Sequence, residues 1–316
     1  MKKLKAFGEF TLILLLRNSF AKAGGRLKVS LGDDTAVFEE KAGRSLLFTT
    51  DMMVEGVHFT ALHSAFKVGQ KAVASNVSDI AAMGGTPLYG LVSVGLRRNA
   101  GVKYALDLLN GIKKEAAKYN VAIIGGDTVS SKVNTINIAL LGEVSGKKYA
   151  LRSGAKEGDF IVVTGTLGNG AAALLNKDVY ISKINTEFAR KAVETGLING
   201  MIDVSDGLSS ELHHIAFESG LGAFIDIKAV PVSPATRKTA LKKKKDVYNL
   251  ALNGGEDYEL LFTVAPKNVR KILKLAAGKT KLTVLGVMRG KEDGVKFSGV
   301  DGELRTLARK GYDHFA

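Results

Sequence analysis

Aspartates recur in one kind of local context along this chain. Each lies within two residues of glycine, threonine or serine and near a short apolar run that is typical of a buried strand. Strand ends in α/β folds line ligand crevices, and glycine lets the backbone approach a ligand closely. One such aspartate is usually only a helix cap or a turn residue. The repetition favours a shared acidic site, with candidates Asp34, Asp51, Asp79, Asp127, Asp203 and Asp206.

The residues near these aspartates offer oxygen atoms but no soft ligand, and the chain contains no cysteine. Oxygen-only sites suit Mg²⁺, which keeps several waters and bridges carboxylates to substrate phosphates. The five histidines show no H-E-x-x-H spacing, so a zinc hydrolase is not supported. His58 follows Asp51 by seven residues and can contact a substrate, whereas His213 and His214 are expected to serve packing or to lie at the surface.

Two segments imitate known phosphate-binding loops. Gly278-Lys279-Thr280 resembles the end of a P-loop, but Leu273 occupies the position that needs the first glycine. Residues 165–170 are rich in glycine with the wrong spacing for a dinucleotide-binding turn. This segment is either a phosphate cradle at a helix start or a simple strand-to-helix turn. The catalytic-loop and glycine-loop signatures of protein kinases are absent from the sequence.

The elements that must position these residues alternate between strands and helices, which predicts an α/β or α+β protein. Short apolar runs predict strands at 45–49, 88–96, 121–124, 136–141, 160–164, 224–227 and 260–264. Helical periodicity predicts helices at 72–83, 104–119, 171–175, 187–196 and 209–219. The chain is long enough for two domains, and the polar, glycine-containing stretch from Ser145 to Gly158 is the expected boundary. We therefore predict domains at 1–147 and 148–316.

The net charge of +14 raises the question of a polyanionic partner. The densest basic run, Lys242 to Lys245, has no interleaved aromatic residue and is expected to be a solvated loop, so no nucleic-acid partner is predicted. No segment reaches the roughly 18 consecutive apolar residues of a membrane span. The first residues imitate a secretory signal, but Glu9 interrupts the apolar region, which favours an amphipathic helix. We expect no membrane partner and a cytoplasmic location.

Taken together, these strings resemble the thiamine-monophosphate kinase family, within the superfamily of ATP-binding enzymes related to aminoimidazole ribonucleotide synthetase. Order and spacing hold along essentially the whole chain. The matching stretches include 8–10, 32–34, 50–59, 76–84, 125–128, 152–155, 164–168, 202–208, 254–260 and the terminal Gly-Tyr-Asp-His-Phe at 311–315. The terminal string distinguishes this family from the rest of the superfamily.

The resemblance implies a fold and a set of site residues. The N-terminal α/β domain is expected to form a dimer through its sheet, and an α+β domain closes over the nucleotide. Several Mg²⁺ ions are expected on Asp34, Thr49, Thr50, Asp51, Asp79, Asp127, Asp203 and Asp206. ATP is expected to contact Tyr119, Gly126, Arg152 and Ser205, and thiamine monophosphate to contact His58, Glu256, Arg309 and Tyr312.

Arg309 departs from the family pattern, which commonly places an aromatic residue two positions before the terminal glycine. A guanidinium can stack on a ring, but it brings positive charge toward a cationic thiazolium. Either Tyr312 or Phe315 takes over the stacking, or the arginine points away.

The implied activity is direct transfer of the γ-phosphate of ATP to thiamine monophosphate. An ATP-dependent ligase like aminoimidazole ribonucleotide synthetase is the nearest alternative, disfavoured by the terminal string and by residues 50–59. A basic nucleic-acid-binding protein that keeps the fold is an alternative from another class. The superfamily members that use a reactive cysteine are excluded by the lack of cysteine.

Overall fold

The computed structural model describes residues 8–20, 22–40, 43–146, 148–312 and 314, without the side chains of Glu9 and Phe10. Its helices are α1 Gly8–Ser19, α2 Ala65–Ala82, α3 Val102–Lys118, α4 Asn169–Leu175, α5 Thr186–Glu194, α6 Leu208–Ser219, α7 Pro234–Lys243, α8 Val247–Asn253 and α9 Val269–Ala276. Its strands are β1 Leu27–Val29, β2 Ala36–Glu39, β3 Arg44–Val54, β4 Thr86–Arg97, β5 Ala122–Ser131, β6 Thr135–Ser145, β7 Phe160–Thr164, β8 Met201–Asp203, β9 Gly222–Asp226, β10 Leu260–Val264, β11 Leu282–Arg289, β12 Val295–Ser298 and β13 Leu304–Thr306.

Six strands form the N-terminal sheet in the order β1-β2-β3-β6-β4-β5. All neighbours are antiparallel except β4 and β5. Alternate residues of β6 are buried, as expected for a sheet with one covered face. We call the covered side, against which α2 packs, the inner face, and the opposite side the outer face. The face on which a side chain of this sheet lies therefore decides whether it points toward α2 or away from it.

Helix α2 is the central element of the molecule. The Ser64 hydroxyl caps its start by accepting from the Lys67 amide, and most of its residues are buried. It packs closely on α3, because Gly69 lies against the Leu108 backbone and Gly111 against the Phe66 backbone. Side chains of α2 also contact α5 and β8 of the C-terminal half. One continuous hydrophobic core consequently runs through α2 from the N-terminal sheet into the second domain.

The C-terminal sheet has seven strands in the order β13-β12-β9-β11-β7-β10-β8. Its strands are antiparallel except for the pair β9 and β12. A second hydrophobic cluster lies between this sheet and α6 and includes Ile161, Leu212 and Leu261. The predicted domain boundary falls in the segment that joins β6 to β7. No helix in the described ranges has the length and apolar character needed to cross a membrane.

Replacing Gly111 by alanine tests the close packing of α2 on α3. The added Cβ would lie 1.9 Å from the carbonyl oxygen of Phe66, so the two helices must move apart. We expect the free energy of unfolding to fall by about 1–3 kcal/mol in urea titrations. Gly24→Ala is the control, because nothing lies within 4 Å of its added Cβ. Equal stability of both variants would contradict this account of the helix pair.

Candidate active site

A cavity of about 860 Å³ lies between the two domains. It is lined by residues of α2 and β3, by the loop before β2 and by the segments after β8 and before β10. Most of the predicted site residues line it, namely Asp34, Thr49, Thr50, Asp51, His58, Asp79, Arg152, Asp203, Ser205, Asp206, Glu256, Arg309 and Tyr312. Residues scattered over nearly the whole chain therefore meet in one place.

Three carboxylates converge at one end of this cavity. Asp34, Asp79 and Asp203 each offer one oxygen, and these oxygens lie within 4.8 Å of one another. They come from the loop before β2, from α2 and from the end of β8, so the two domains build the cluster together. The Ser78 hydroxyl donates to Asp203 at 2.6 Å across the domain boundary. We call these three residues the carboxylate cluster.

Strand β3 brings two more predicted residues to the cluster. Thr49 and Asp51 share its inner face because side chains alternate along a strand. The Thr49 hydroxyl donates to Asp79, and Ser75 of α2 hydrogen-bonds Asp51. Thr50 lies on the outer face, where its hydroxyl donates to the Ile138 carbonyl oxygen at 3.1 Å.

The carboxylate cluster holds more negative charge than the cations around it balance. Burial, together with the neighbouring carboxylates Asp51, Asp203 and Asp34, raises the pKa of Asp79 well above its usual value. Burial and the charge of Asp34 raise the pKa of Asp203 to about 8. The Oδ2 atom of Asp34 is buried and has no hydrogen-bond partner among the described residues. An all-oxygen donor set with a vacant buried acceptor fits Mg²⁺.

Arg152 is the cation that faces this cluster. Its guanidinium donates to Oδ1 of Asp34 at 2.6 and 3.2 Å, and its backbone amide donates to the carboxylate of Asp33. Burial and the Asp34 charge raise the pKa of Asp33 to about 7. Glu211 of α6 is buried beside the same arginine and accepts from the Asp206 amide at 2.9 Å. Arg152 therefore lies between two acidic groups and the open cavity.

His58, Glu256 and Lys71 meet at the other end of the cavity. The Lys71 ammonium forms an ion pair with Glu256 and donates to the His58 carbonyl oxygen at 3.2 Å. Nδ1 of His58 accepts from the Val54 amide at 3.0 Å, which leaves the hydrogen on Nε2. Burial and the neighbouring His314 and Lys71 lower the pKa of His58 to about 4. The histidine is therefore neutral near pH 7.

The C-terminal segment closes a further side of the cavity. The Arg309 guanidinium lies 2.9 Å from Nε2 of His214, and burial lowers the pKa of that histidine to about 3. Arg309 thus points at His214, which agrees with the option that it does not stack on a ring. The Tyr312 ring packs edge-on against His314. Phe315, the other stacking candidate, lies outside the described residues.

The glycine-rich loop at 165–170 is a strand-to-helix turn rather than a phosphate cradle. The carboxylate of Asp257 accepts from the amides of Gly168, Asn169 and Gly170 at 2.6, 2.7 and 3.0 Å. These amides are the donors that a phosphate would need at the start of α4. The Asp257 carboxylate therefore occupies the position that a phosphate would take at the start of α4. Burial raises the pKa of Asp257 to about 7.

Asp127, Gly126 and Tyr119 do not line this cavity. Asp127 on β5 is aligned across β4 and β6 with Met52 of β3, which places it three strands away, or roughly 14 Å. Its side chain lies on the outer face and is exposed. The Tyr119 hydroxyl accepts from the Ile184 amide at 3.0 Å, in the packing between domains. The expected roles of these three residues in metal and ATP binding stay predictions.

The sequence interpretation missed Lys71, Ser75 and Glu211. Lys71, Ser75 and Asp79 are spaced by four residues, so they follow one face of α2. That spacing was a usable signal, since a lysine on the buried face of a helix needs a partner. Glu211 lies five residues after Asp206 in the first turn of α6, a position that is usually explained by capping.

Family profiles agree with this architecture. AIR synthase related protein, N-terminal domain, matches residues 32–144, and AIR synthase related protein, C-terminal domain, matches residues 156–297. The fold is thus that of an AIR synthase related protein. The predicted two-domain fold is confirmed.

Individual relatives define the family more narrowly. Thiamine-monophosphate kinase of Aquifex aeolicus (strain VF5) is 35% identical, over 99% of this chain and 100% of its own. The enzyme of that name from Escherichia coli (strain K12) is 34% identical, over 98% of this chain and 99% of its own. A solved structure described as AaThiL complexed with AMPPCP and TMP has a TM-score of 0.85 at 31% identity and covers 99% of both chains. The chain belongs to the thiamine-monophosphate kinase family.

The raised carboxylate pKa values predict how metal-free stability depends on pH. The folded protein holds protons on Asp33 and Asp203 up to about pH 7 and 8, whereas the unfolded chain releases them near pH 4. Stability therefore falls as pH rises through 6.5–8.5, above the range in which His58 and His214 change charge. Urea unfolding in a chelator checks this.

Two controls accompany that measurement. Asp203→Asn should flatten the slope, because it removes one of the shifted groups. Saturating Mg²⁺ should oppose the decline, because metal binding requires deprotonated ligands. A metal-free stability that increases between pH 6.5 and 8.5 would contradict the proposed charge balance.

Proposed function

We propose that this chain transfers the γ-phosphate of ATP to thiamine monophosphate and releases ADP and thiamine diphosphate. The observation that carries the proposal is the carboxylate cluster, built by both domains at one end of a cavity large enough for two substrates. Two lines of support join it: full-length similarity to thiamine-monophosphate kinases, and a structural relative described as complexed with AMPPCP and TMP.

The acceptor chemistry explains why the site is rich in aspartate and poor in bases. A phosphate monoester has a second pKa near 6, so its oxygen is already largely ionised at neutral pH. No side chain has to remove a proton to create the nucleophile. His58, the nearest basic candidate, has its pKa lowered to about 4 by burial and by its charged neighbours. The site therefore needs positioning and charge neutralisation rather than acid–base groups.

Repulsion between two polyanionic substrates is the main obstacle to the reaction. We propose that Asp34, Asp79 and Asp203, with Asp51 and Asp206 nearby, hold Mg²⁺ between the two phosphate groups. Bound there, Mg²⁺ would neutralise phosphate charge and align the donor with the acceptor.

Arg152 is the residue proposed to bind the nucleotide phosphates, because its planar guanidinium suits a bidentate contact. Its backbone amide is held by Asp33 and its side chain by Asp34, so it is positioned before any ligand arrives. Ser205, which lines the same cavity, is also proposed to contact ATP. His58 and Glu256, with Tyr312, are proposed to contact thiamine monophosphate.

An acceptor-specific assay tests the activity. ADP release should require Mg²⁺ and thiamine monophosphate, and neither thiamine nor an aminoimidazole ribonucleotide precursor should replace it. Asp79→Asn should lower kcat/KM by more than about 100-fold, because even partners outside the metal's own ligands typically account for 10–100-fold. Asp107→Asn, an exposed aspartate on α3, is the control and should stay near wild type. Activity of Asp79→Asn near wild type at saturating Mg²⁺ would refute the metal cluster.

We also propose that the protein is a homodimer formed through the outer face of its N-terminal sheet. Large apolar side chains are exposed there, including Phe48, Met52, Tyr89, Leu91 and Val129. Such a continuous apolar surface marks an interaction site. The cavity reaches this face at Thr50 and Met52, so a partner would cover part of its rim. A cytoplasmic location is proposed because the reaction consumes ATP.

Leu91→Glu tests the dimer, because it places a charge at the centre of the proposed interface. Light scattering after size exclusion should give twice the 33.6 kDa chain mass for the wild type and a single chain mass for the variant. Leu109→Glu is a matched control: both leucines are 47% exposed, but Leu109 lies on α3, behind the other face of the sheet. A monomeric wild type, or a dimeric Leu91→Glu, would exclude this interface.

A further inference from the structure

Lys71 is a buried cation to which the proposed reaction gives no role. Its side chain is 2% exposed, although it lies in the middle of α2 and lines the cavity. Lysine is almost never fully buried unless it is paired. Its two partners among the described residues are the Glu256 carboxylate and the His58 carbonyl oxygen. The fold therefore maintains one buried ammonium at the end of the cavity opposite the carboxylate cluster.

The ion pair joins the two domains. Lys71 belongs to α2 and Glu256 to the segment before β10, which are 185 residues apart in sequence. Burying two charges is costly unless they pair with good geometry, and removing one partner leaves the other uncompensated. A pair at this position therefore fixes where the Glu256 carboxylate lies relative to the N-terminal wall of the cavity.

The backbone of Glu256 is constrained independently. Its φ is +69°, a left-handed conformation that is uncommon for a residue with a side chain. Its amide donates to the Ser205 carbonyl oxygen at 2.6 Å, which ties it to the loop after β8. With the backbone held in this way, the remaining freedom of Glu256 lies in its side chain. The Lys71 ammonium removes that freedom.

The Lys71 ammonium is not paired with the carboxylate cluster. Asp79 lies eight residues further along α2, which is about 12 Å along the helix axis at 1.5 Å per residue. The Lys71 side chain extends toward the helix N-terminus and ends on Glu256 and the His58 carbonyl oxygen. We assign this end of the cavity to the organic part of the acceptor.

We propose that Lys71 is a positioning residue that holds Glu256 as a fixed carboxylate acceptor for the cationic, amino-bearing ring system of the phosphate acceptor, an inference that rests on the function proposed above. The Lys71–Glu256 pair has no net charge. His58 beside it is neutral, since burial lowers its pKa to about 4. A cationic ring thus meets an oriented hydrogen-bond acceptor without net positive charge around it.

Lys71→Met is the primary test. Without the ammonium, the Glu256 side chain is no longer held in one orientation, and the acceptor loses its oriented partner. We expect the KM for thiamine monophosphate to rise at least about tenfold, while kcat and the KM for ATP change less than about threefold. Lys71→Arg should recover part of the loss. Lys67→Met is the control, since Lys67 lies one turn earlier on α2 and pairs with the exposed Asp178.

A double-mutant cycle separates positioning from direct contact. If Lys71 acts through Glu256, adding Lys71→Met to Glu256→Gln should not raise the KM for thiamine monophosphate any further. A double variant whose KM rises by the product of the two single effects would overturn the proposal. A fall in kcat at constant KM would overturn it as well. The double variant also removes the unpaired buried charge, so its thermal unfolding midpoint should exceed that of Lys71→Met.

Calorimetric binding of thiamine monophosphate without ATP distinguishes this proposal from the proposed function. Binding that weakens at least about tenfold in Lys71→Met supports the positioning role even if the wild type shows no turnover, an outcome that would refute only the kinase activity. Equal affinity of wild type and Lys71→Met would overturn the positioning role and leave the kinase activity standing. No binding to the wild type would overturn both.

Discussion

Mutual repulsion among buried carboxylates is the constraint around which this molecule is organised. Asp34, Asp79 and Asp203 are brought within a few ångströms of one another, where burial raises the pKa of all three and neighbouring carboxylates raise the pKa of Asp79 and Asp203 further. Such an arrangement destabilises the metal-free fold, since one protonation or one cation is needed to relieve it. Arg152 and the Ser78 hydroxyl offset part of the cost. A bound divalent cation would relieve the rest of this repulsion. The stability of the fold and the proposed chemistry therefore depend on the same three carboxylates.

Helix α2 is what makes this convergence possible. It packs against the inner face of the N-terminal sheet, against α3 through Gly69 and Gly111, and against β8 of the second domain. Along one face it presents Asp79 to the carboxylate cluster and Lys71 to Glu256. A shift of α2 would therefore disturb both ends together. This explains why the hydrophobic core is continuous across the domain boundary rather than divided at it.

Local sequence patterns located about half of the strands, and the family resemblance supplied most of the site, but neither predicted features set by distant residues. Apolar runs predicted seven of the thirteen described strands, whereas β1, β2, β8, β11 to β13 and the helices α7 to α9 were not predicted. Of the 16 site residues expected from the acidic pattern and the resemblance, 13 line the cavity. Asp127 does not line the cavity, because the strand order and the face of β5 are set by pairing with β4. The glycine-rich loop was ambiguous until Asp257, almost 90 residues away, was seen to occupy its amides. Lys71 was overlooked because lysines are usually solvated.

The two ends of the cavity balance charge in different ways. The end at the carboxylate cluster is strongly acidic, and the Arg152 guanidinium is paired there with Asp34. At the end that holds Glu256, Lys71 balances the charge of that carboxylate, and the lowered pKa of His58 leaves this histidine neutral near pH 7. The Arg309 guanidinium lies against His214, whose pKa of about 3 makes it a neutral acceptor. Because a neutral histidine cannot cancel the charge of an arginine, this hydrogen bond sets the direction of the guanidinium rather than the charge balance of the cavity.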